Sequence, residues 1–137
     1  MRVLIVFLFL IFTLLGCAGA RQEIIGKPVS GDPYIWDFGQ AKEGVVLKHS
    51  FIFKNESKKV VNIKDVNTSC GCTASEVKKK TLLPGEEAQI EVSFKSQGYS
   101  GAVQQFVYVN TDNLDNPIVK YIIKAEVIKG LSPSESR

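Results

Sequence analysis

The chain has 137 residues, enough for one domain, and is 45% hydrophobic and 23% charged. That balance belongs to a folded protein and excludes disorder along its whole length. The formal net charge of +3 comes with no basic stripe interleaved with aromatics, so nucleic acid is not an expected partner.

The chain opens with a leader. Met1-Arg2 supplies a positive charge, and Val3 to Leu15 carries no charge and only Thr13 as a polar residue. Such a run suits the apolar core of a secretory signal and falls short of the ~20 residues a membrane-spanning helix needs. Leu14-Leu15-Gly16-Cys17-Ala18 follows directly and resembles the lipobox of bacterial lipoproteins. The resemblance implies a signal peptide over residues 1–16, cleavage before Cys17, a diacylglycerol thioether on its sulfur and a further acyl chain on the new amino group. An uncleaved signal anchor and a soluble secreted form are the competing readings. Several acyl chains would make attachment to a bilayer stable, where one would be marginal. Loss of residues 1–16 leaves 16 basic residues against 14 acidic ones, a charge of +2.

Residues 17–33 contain Gly26, Pro28, Gly31 and Pro33 with little periodicity, as expected of a lipidated tether. From residue 34 to 129 the pattern is alternating, the mark of strands with one buried face. Tyr34 to Gly39 reads as a first strand, with Trp36 and Phe38 on one face, ended by Gly39. Ala41-Lys42-Glu43-Gly44 reads as a turn. In Val45 to Lys54, Leu47, His49, Phe51 and Phe53 share the inner face. Val60 to Val66 forms a third strand, and because Val66 falls out of step with Val61 and Ile63, a bulge is expected near Asp65. Thr73 to Val77 is a short edge strand, and Lys78-Lys79-Lys80 a solvated loop. Leu83-Pro84-Gly85-Glu86 has Pro and Gly where a type II turn needs them. Ala88 to Phe94 points Ile90, Val92 and Phe94 inward. After a loop over residues 97–101, Ala102 to Asn110 offers Phe106 and Tyr108 on one face and Val103, Val107 and Val109 on the other, and the pattern does not choose between them. Ile118 to Ile128 places Val119, Tyr121, Ile123, Ala125 and Val127 on one face. Residues 130–137 form a polar tail.

Seven short strands with no helical spacing predict an all-β, immunoglobulin-like antiparallel β-sandwich. Trp36-Asp37-Phe38-Gly39, Gly44, Phe51-Ile52-Phe53-Lys54-Asn55, Thr68-Ser69-Cys70-Gly71-Cys72-Thr73 and Pro84-Gly85-Glu86 together resemble a bacterial family known as domain of unknown function 1573. The resemblance covers about Ile35 to Val127. It implies an immunoglobulin-like fold related to domains of cilium and centrosome proteins and of major sperm protein, with many exported or lipid-anchored members. It implies no activity.

Chemistry is concentrated in two cysteines. With Cys17 alkylated, Cys70 and Cys72 are a pair in an exported, disulfide-permissive compartment. Two residues of extended chain span roughly 7 Å, at the edge of disulfide reach, so Gly71 is expected to help fold the backbone back. A three-residue loop constrains the unfolded chain by only about 1.6 kcal/mol, so stability alone does not explain such a bond. Three readings stay open: an exchangeable disulfide, a soft-metal pair for Cu(I), or small packed residues at a turn. Met1 is the only methionine and His49 the only histidine, and a zinc set of Cys70, Cys72, His49 and an acid matches no common spacing. His49 is expected as a half-buried core side chain with one backbone partner. No acid or oxyanion element can be assigned beside a Cys-His pair, so no catalytic residue, metal or cofactor is named. Asn55-Glu56-Ser57 and Asn67-Thr68-Ser69 match the glycosylation pattern but are read as turns. The expected function is that of a non-catalytic interaction module, held by lipid on Cys17 in the cell envelope, facing the periplasm and binding an envelope protein. Ala18, where some lipoproteins carry an inner-membrane-retaining aspartate, favours the outer membrane. Thiol redox or copper handling by Cys70 and Cys72 is the alternative.

Overall fold

The computed structural model describes Lys27–Pro28 and residues 31–130. The leader, Cys17 and the end of the polar tail lie outside the described residues. Nine strands follow in order: β1 (Lys27–Pro28), β2 (Ile35–Lys42), β3 (Val46–Lys54), β4 (Val61–Thr68), β5 (Thr73–Val77), β6 (Thr81–Leu82), β7 (Glu87–Lys95), β8 (Gly101–Thr111) and β9 (Ile118–Ile128). They form a β-sandwich of two sheets, ordered β1-β2-β9-β8-β4-β6 and β3-β7-β5.

Alternation is what builds both layers. In β3, Leu47, Phe51 and Phe53 are buried and His49 half-buried, while Lys48, Ser50 and Lys54 face out. In β7 the buried set is Ala88, Ile90, Val92 and Phe94, and in β9 it is Val119, Tyr121, Ile123, Ala125 and Val127. For β8 the structure supplies the choice the pattern left open. Val107 and Val109 face the core, and Phe106 and Tyr108 lie on the outer side with Lys120 over the Phe106 ring.

Bulges keep two strands in phase. The pairing of β4 with β8 shifts between Ile63 and Asp65, which returns Val66 to the inner side. The Asp65 carboxylate fixes that spot by accepting from the amides of Asn67 and Asn110. In β2, Gly39 does not end the strand as expected. It sits at φ +66 within a register shift between Asp37 and Gln40, a conformation that favours glycine, and the strand continues to Lys42. The shift moves the inward position from Phe38 to Ala41, both buried, so Ala41 and Lys42 belong to the strand and not to a turn.

Three other features differ from expectation. One pair, β2 with β9, runs parallel. Lys27 and Pro28 pair with Asp37 and Trp36, adding a short edge strand to the larger sheet. Thr81–Leu82 is a ninth strand against β4, and its Leu82 is fully buried. Two residues show no periodicity, which is why β6 is invisible in the sequence. Asn55 secures this region from below: its buried amide donates to the carbonyls of Lys59 and Leu82 at 2.8 and 2.9 Å. Its oxygen accepts from Ser57, so the first glycosylation-like triplet is a turn, whereas Asn67 and Thr68 of the second lie in β4.

The sheets are joined by rings. Tyr121 of β9 stacks on Phe51 of β3 with centroids 4.6 Å apart, and its hydroxyl donates to the Ile52 carbonyl at 3.1 Å.

Truncating a fully enclosed leucine costs about 2 to 5 kcal/mol, while an exposed one is near neutral. Leu82→Ala is therefore expected to lower the urea midpoint sharply and Leu83→Ala, in its half-exposed neighbour, hardly at all. Equal midpoints for the two variants would show that β6 does not pack as described.

Candidate functional site

Two strands in different sheets meet at the cysteines. β4 ends at Thr68 in the larger sheet, β5 begins at Thr73 in the smaller one, and the residues between make the crossover. Backbone hydrogen bonds shape it: Thr73 N–H donates to the Cys70 carbonyl at 3.3 Å, closing a four-residue turn. Ser69 N–H is held by the Phe106 carbonyl on β8, and Lys95 N–H on β7 by the Cys72 carbonyl. The Thr68 hydroxyl lies 3.1 and 2.8 Å from the carbonyls of Cys70 and Thr73.

Within this turn Cys70 and Cys72 are joined as a disulfide, with Cα atoms 5.3 Å apart. That spacing is well below the span of extended chain and inside the range a disulfide accepts. Gly71 contributes differently from expectation. Its φ is not in the left-handed region, and a Cβ there would meet no residue other than the adjacent cysteines within 4 Å, so the backbone is turned back by the surrounding hydrogen bonds and not by glycine's special freedom.

The two sulfurs have unequal surroundings. Cys72 packs against the hydrophobic core, and its Sγ lies 2.9 Å from the Tyr99 hydroxyl. The same hydroxyl is 3.8 Å from Cys70 Sγ, and the Thr73 hydroxyl is 3.6 and 3.8 Å from the two sulfurs. A disulfide sulfur has no proton to give, so both hydroxyls donate. Tyr99 is the residue that sequence reasoning passed over, as part of the 97–101 loop. A lone aromatic between Gly98 and Ser100 was the available signal. Its ring stands edge-on to Phe94 at 5.2 Å, and its N–H bonds the carbonyl of the buried Ser96.

His49 is not drawn to the cysteines. Its ring stacks on Trp36 at 3.8 Å and meets Phe51 edge-on at 4.5 Å. Among the described residues no hydrogen bond engages the ring, and aromatic stacking takes the place of the expected backbone partner. Burial pushes its pKa down to about 4. Among the described residues no group of three His, Cys, Asp or Glu gathers to hold a metal, and sulfurs joined to each other are not thiolate ligands. The basic run is a surface loop, with Lys78 and Lys79 paired to Glu91 and Glu86 at 3.0 and 2.9 Å.

The opposite end of the sandwich has a different character. Tyr34, Val60, Leu83, Leu114 and Ile118 come from four connections and one strand start, and all project there. Leu114 is 94% exposed and the others are about half exposed. Beside them Tyr34, Asn55, Asn113, Asn116 and Tyr121 line an open cleft of about 400 Å³.

A family model described as protein of unknown function (DUF1573) matches residues 32–127. No curated protein matches the chain. Among solved structures, it is similar to a protein of unknown function from Porphyromonas gingivalis W83, with a TM-score of 0.61 and 16% identity over 68% of this chain and 44% of that one. It is similar to the VesB protease of Vibrio cholerae, with a TM-score of 0.58 and 15% identity over 67% of this chain and 30% of that one. It is also similar to PapD-like domain 7 of human CEP192, with a TM-score of 0.57 and 12% identity over 77% of this chain and 94% of that domain. The chain spans less than half of the first two proteins. At these identities the likeness is one of fold, not of activity.

The buried imidazole makes stability depend on pH. Its folded pKa is below the unfolded value of about 6.5, so the unfolded chain binds the extra proton and stability falls as pH drops from 6.5 toward 4. Glu86 and Asp112, whose carboxyls are held below 4.5 and 3.8 mainly by hydrogen bonds, contribute only at lower pH. Urea unfolding between about pH 7 and pH 5 is thus expected to show a loss of stability on acidification that His49→Gln removes. A slope unchanged in the variant would place its origin elsewhere.

Proposed function

The chain belongs to the DUF1573 family, and from that membership we propose that it is a lipid-anchored, non-catalytic interaction module of the cell envelope. Cys17 carries the lipid, the domain faces the periplasm from the outer membrane, and its partner is an envelope protein. The observation that carries this reading is the gathering of Tyr34, Val60, Leu83, Leu114 and Ile118 at one end. Single exposed apolar residues are ordinary on a surface. Residues supplied by separate connections at one end, with Tyr34 lining the cleft and Val60 and Leu114 lining a second one, are the pattern of a docking site, with a leucine and a tyrosine available as anchors. The fold supports the same role, since a sandwich offers loops at both ends on a rigid scaffold.

Crosslinking the full-length protein in its native membranes is expected to give a discrete adduct that Leu83→Asp with Leu114→Asp abolishes, the protein staying folded and acylated at Cys17 by mass spectrometry. An adduct that survives the double variant would overturn the docking end. A residue 17 found without fatty acid would overturn the anchor.

A further inference from the structure

We infer that the Cys70–Cys72 bond is a site of thiol–disulfide exchange with a protein dithiol, in which Cys70 is the sulfur attacked and Cys72 the leaving thiolate, held by the Tyr99 hydroxyl. The inference stands apart from the docking reading, because the cysteines lie at the other end of the sandwich.

The bond is not needed to hold the turn. Thr73 N–H to Cys70, Ser69 N–H to Phe106 and Lys95 N–H to Cys72 fix its backbone on three sides. A three-residue loop constrains the unfolded chain less than any longer one. The disulfide can therefore open and close with the fold unchanged, which separates an exchangeable bond from a structural one.

Access and polarity select the direction. Gly71 is exposed and has no side chain to cover the sulfurs, and apart from the two cysteines themselves no residue has an atom within 4 Å of where a Cβ on Gly71 would be. Cys72 is packed against the core, whereas Cys70 is not part of that cluster. Both cysteines are half-buried, and an incoming thiolate, which must approach in line with the bond being broken, meets less of the core at Cys70 than at Cys72. The leaving sulfur gathers negative charge as the bond breaks. Tyr99 is placed for that charge, with its hydroxyl 2.9 Å from Cys72 Sγ against 3.8 Å from Cys70 Sγ, and Phe94 holds its ring. A hydrogen bond to a thiolate is stronger than one to a disulfide sulfur, so the contact favours the product of attack at Cys70.

The steps balance. A thiolate of the partner dithiol attacks Cys70 Sγ, and the electron pair of the Cys70–Cys72 bond leaves on Cys72 Sγ, giving a mixed disulfide through Cys70. The partner's second thiol, on losing its proton, attacks its own sulfur in that mixed disulfide and releases Cys70 as thiolate. The partner becomes a disulfide, and the two protons it lost end on Cys70 and Cys72. The reverse sequence oxidises the pair.

The test uses the full-length chain in detergent micelles and a thioredoxin-type oxidoreductase whose second cysteine is serine. After acid quenching and alkylation, peptide mass mapping is expected to find the probe on Cys70 and the alkyl group on Cys72. Tyr99→Phe keeps the ring and removes the donor, and it is expected to slow adduct formation roughly tenfold. In the reduced protein it is expected to move the pH profile of Cys72 alkylation upward, leaving the circular dichroism spectrum unchanged. No adduct, or an adduct on Cys72, would overturn the inference whatever the variant does. Wild-type rate and pH profile in Tyr99→Phe would remove Tyr99 from it.

Discussion

A run of rings between the two sheets is the constraint on which the rest of the molecule depends. Tyr34, Tyr121, Phe51, His49, Trp36 and Phe38 follow one another with centroid separations between 3.8 and 6.5 Å. They come from β2, β3, β9 and the residue before β2, so the run stitches the parallel β2–β9 pair of the larger sheet to the edge strand of the smaller one. Among the described residues no disulfide spans the layers, and the only one joins Cys70 and Cys72 within a turn. Each buried ring contributes about 1.5 to 3 kcal/mol by removal from water, with a further ~0.5 to 1.5 for a well-oriented pair. The seam accepts a cost in return: Trp36 Nε1 is buried with no hydrogen-bond partner among the described residues, and His49 is kept neutral by its surroundings. Both polar losses are local, while the ring contacts run along the sandwich.

Because the seam and the valine- and isoleucine-rich core fix the layers, the two ends are free to differ. At one end the chain crosses from β4 to β5 through a turn tied to β7 and β8, and its two sulfurs look onto different surroundings. At the other end the connections carry apolar residues outward beside a cleft. A sandwich has no single natural active-site crevice of the kind an α/β sheet creates at its switch point. Specialisation is left to the connections, and in this chain the two ends have taken different chemistry.

The likeness to a PapD-like domain of human CEP192 and to bacterial proteins at 12 to 16% identity shows how little of the sequence such a fold requires. What these chains share is the fold, not the identity of most residues. Tyr99 and Leu114, which give this chain its particular surfaces, lie in connections that the shared framework does not constrain.

Alternation by itself determined the long strands, the inward faces of β3, β7 and β9 and the bulge near Asp65, because side-chain direction has a period of two and a slip exposes the wrong face. Spacing placed Cys70 and Cys72 at the edge of each other's reach, and the hydrogen bonds of the turn drew their Cα atoms to 5.3 Å. Tertiary structure alone decided the remainder: that β8 turns its valines inward, that Gly39 carries β2 onward, that Leu82 is enclosed, and that Tyr99 reaches Cys72. Each of these depends on what lies across a sheet or between layers, from Leu82 against Val61 to Tyr99 against a sulfur 27 positions away. Contacts of that kind leave no periodic trace, since the residues that make them are brought together only when the two sheets close.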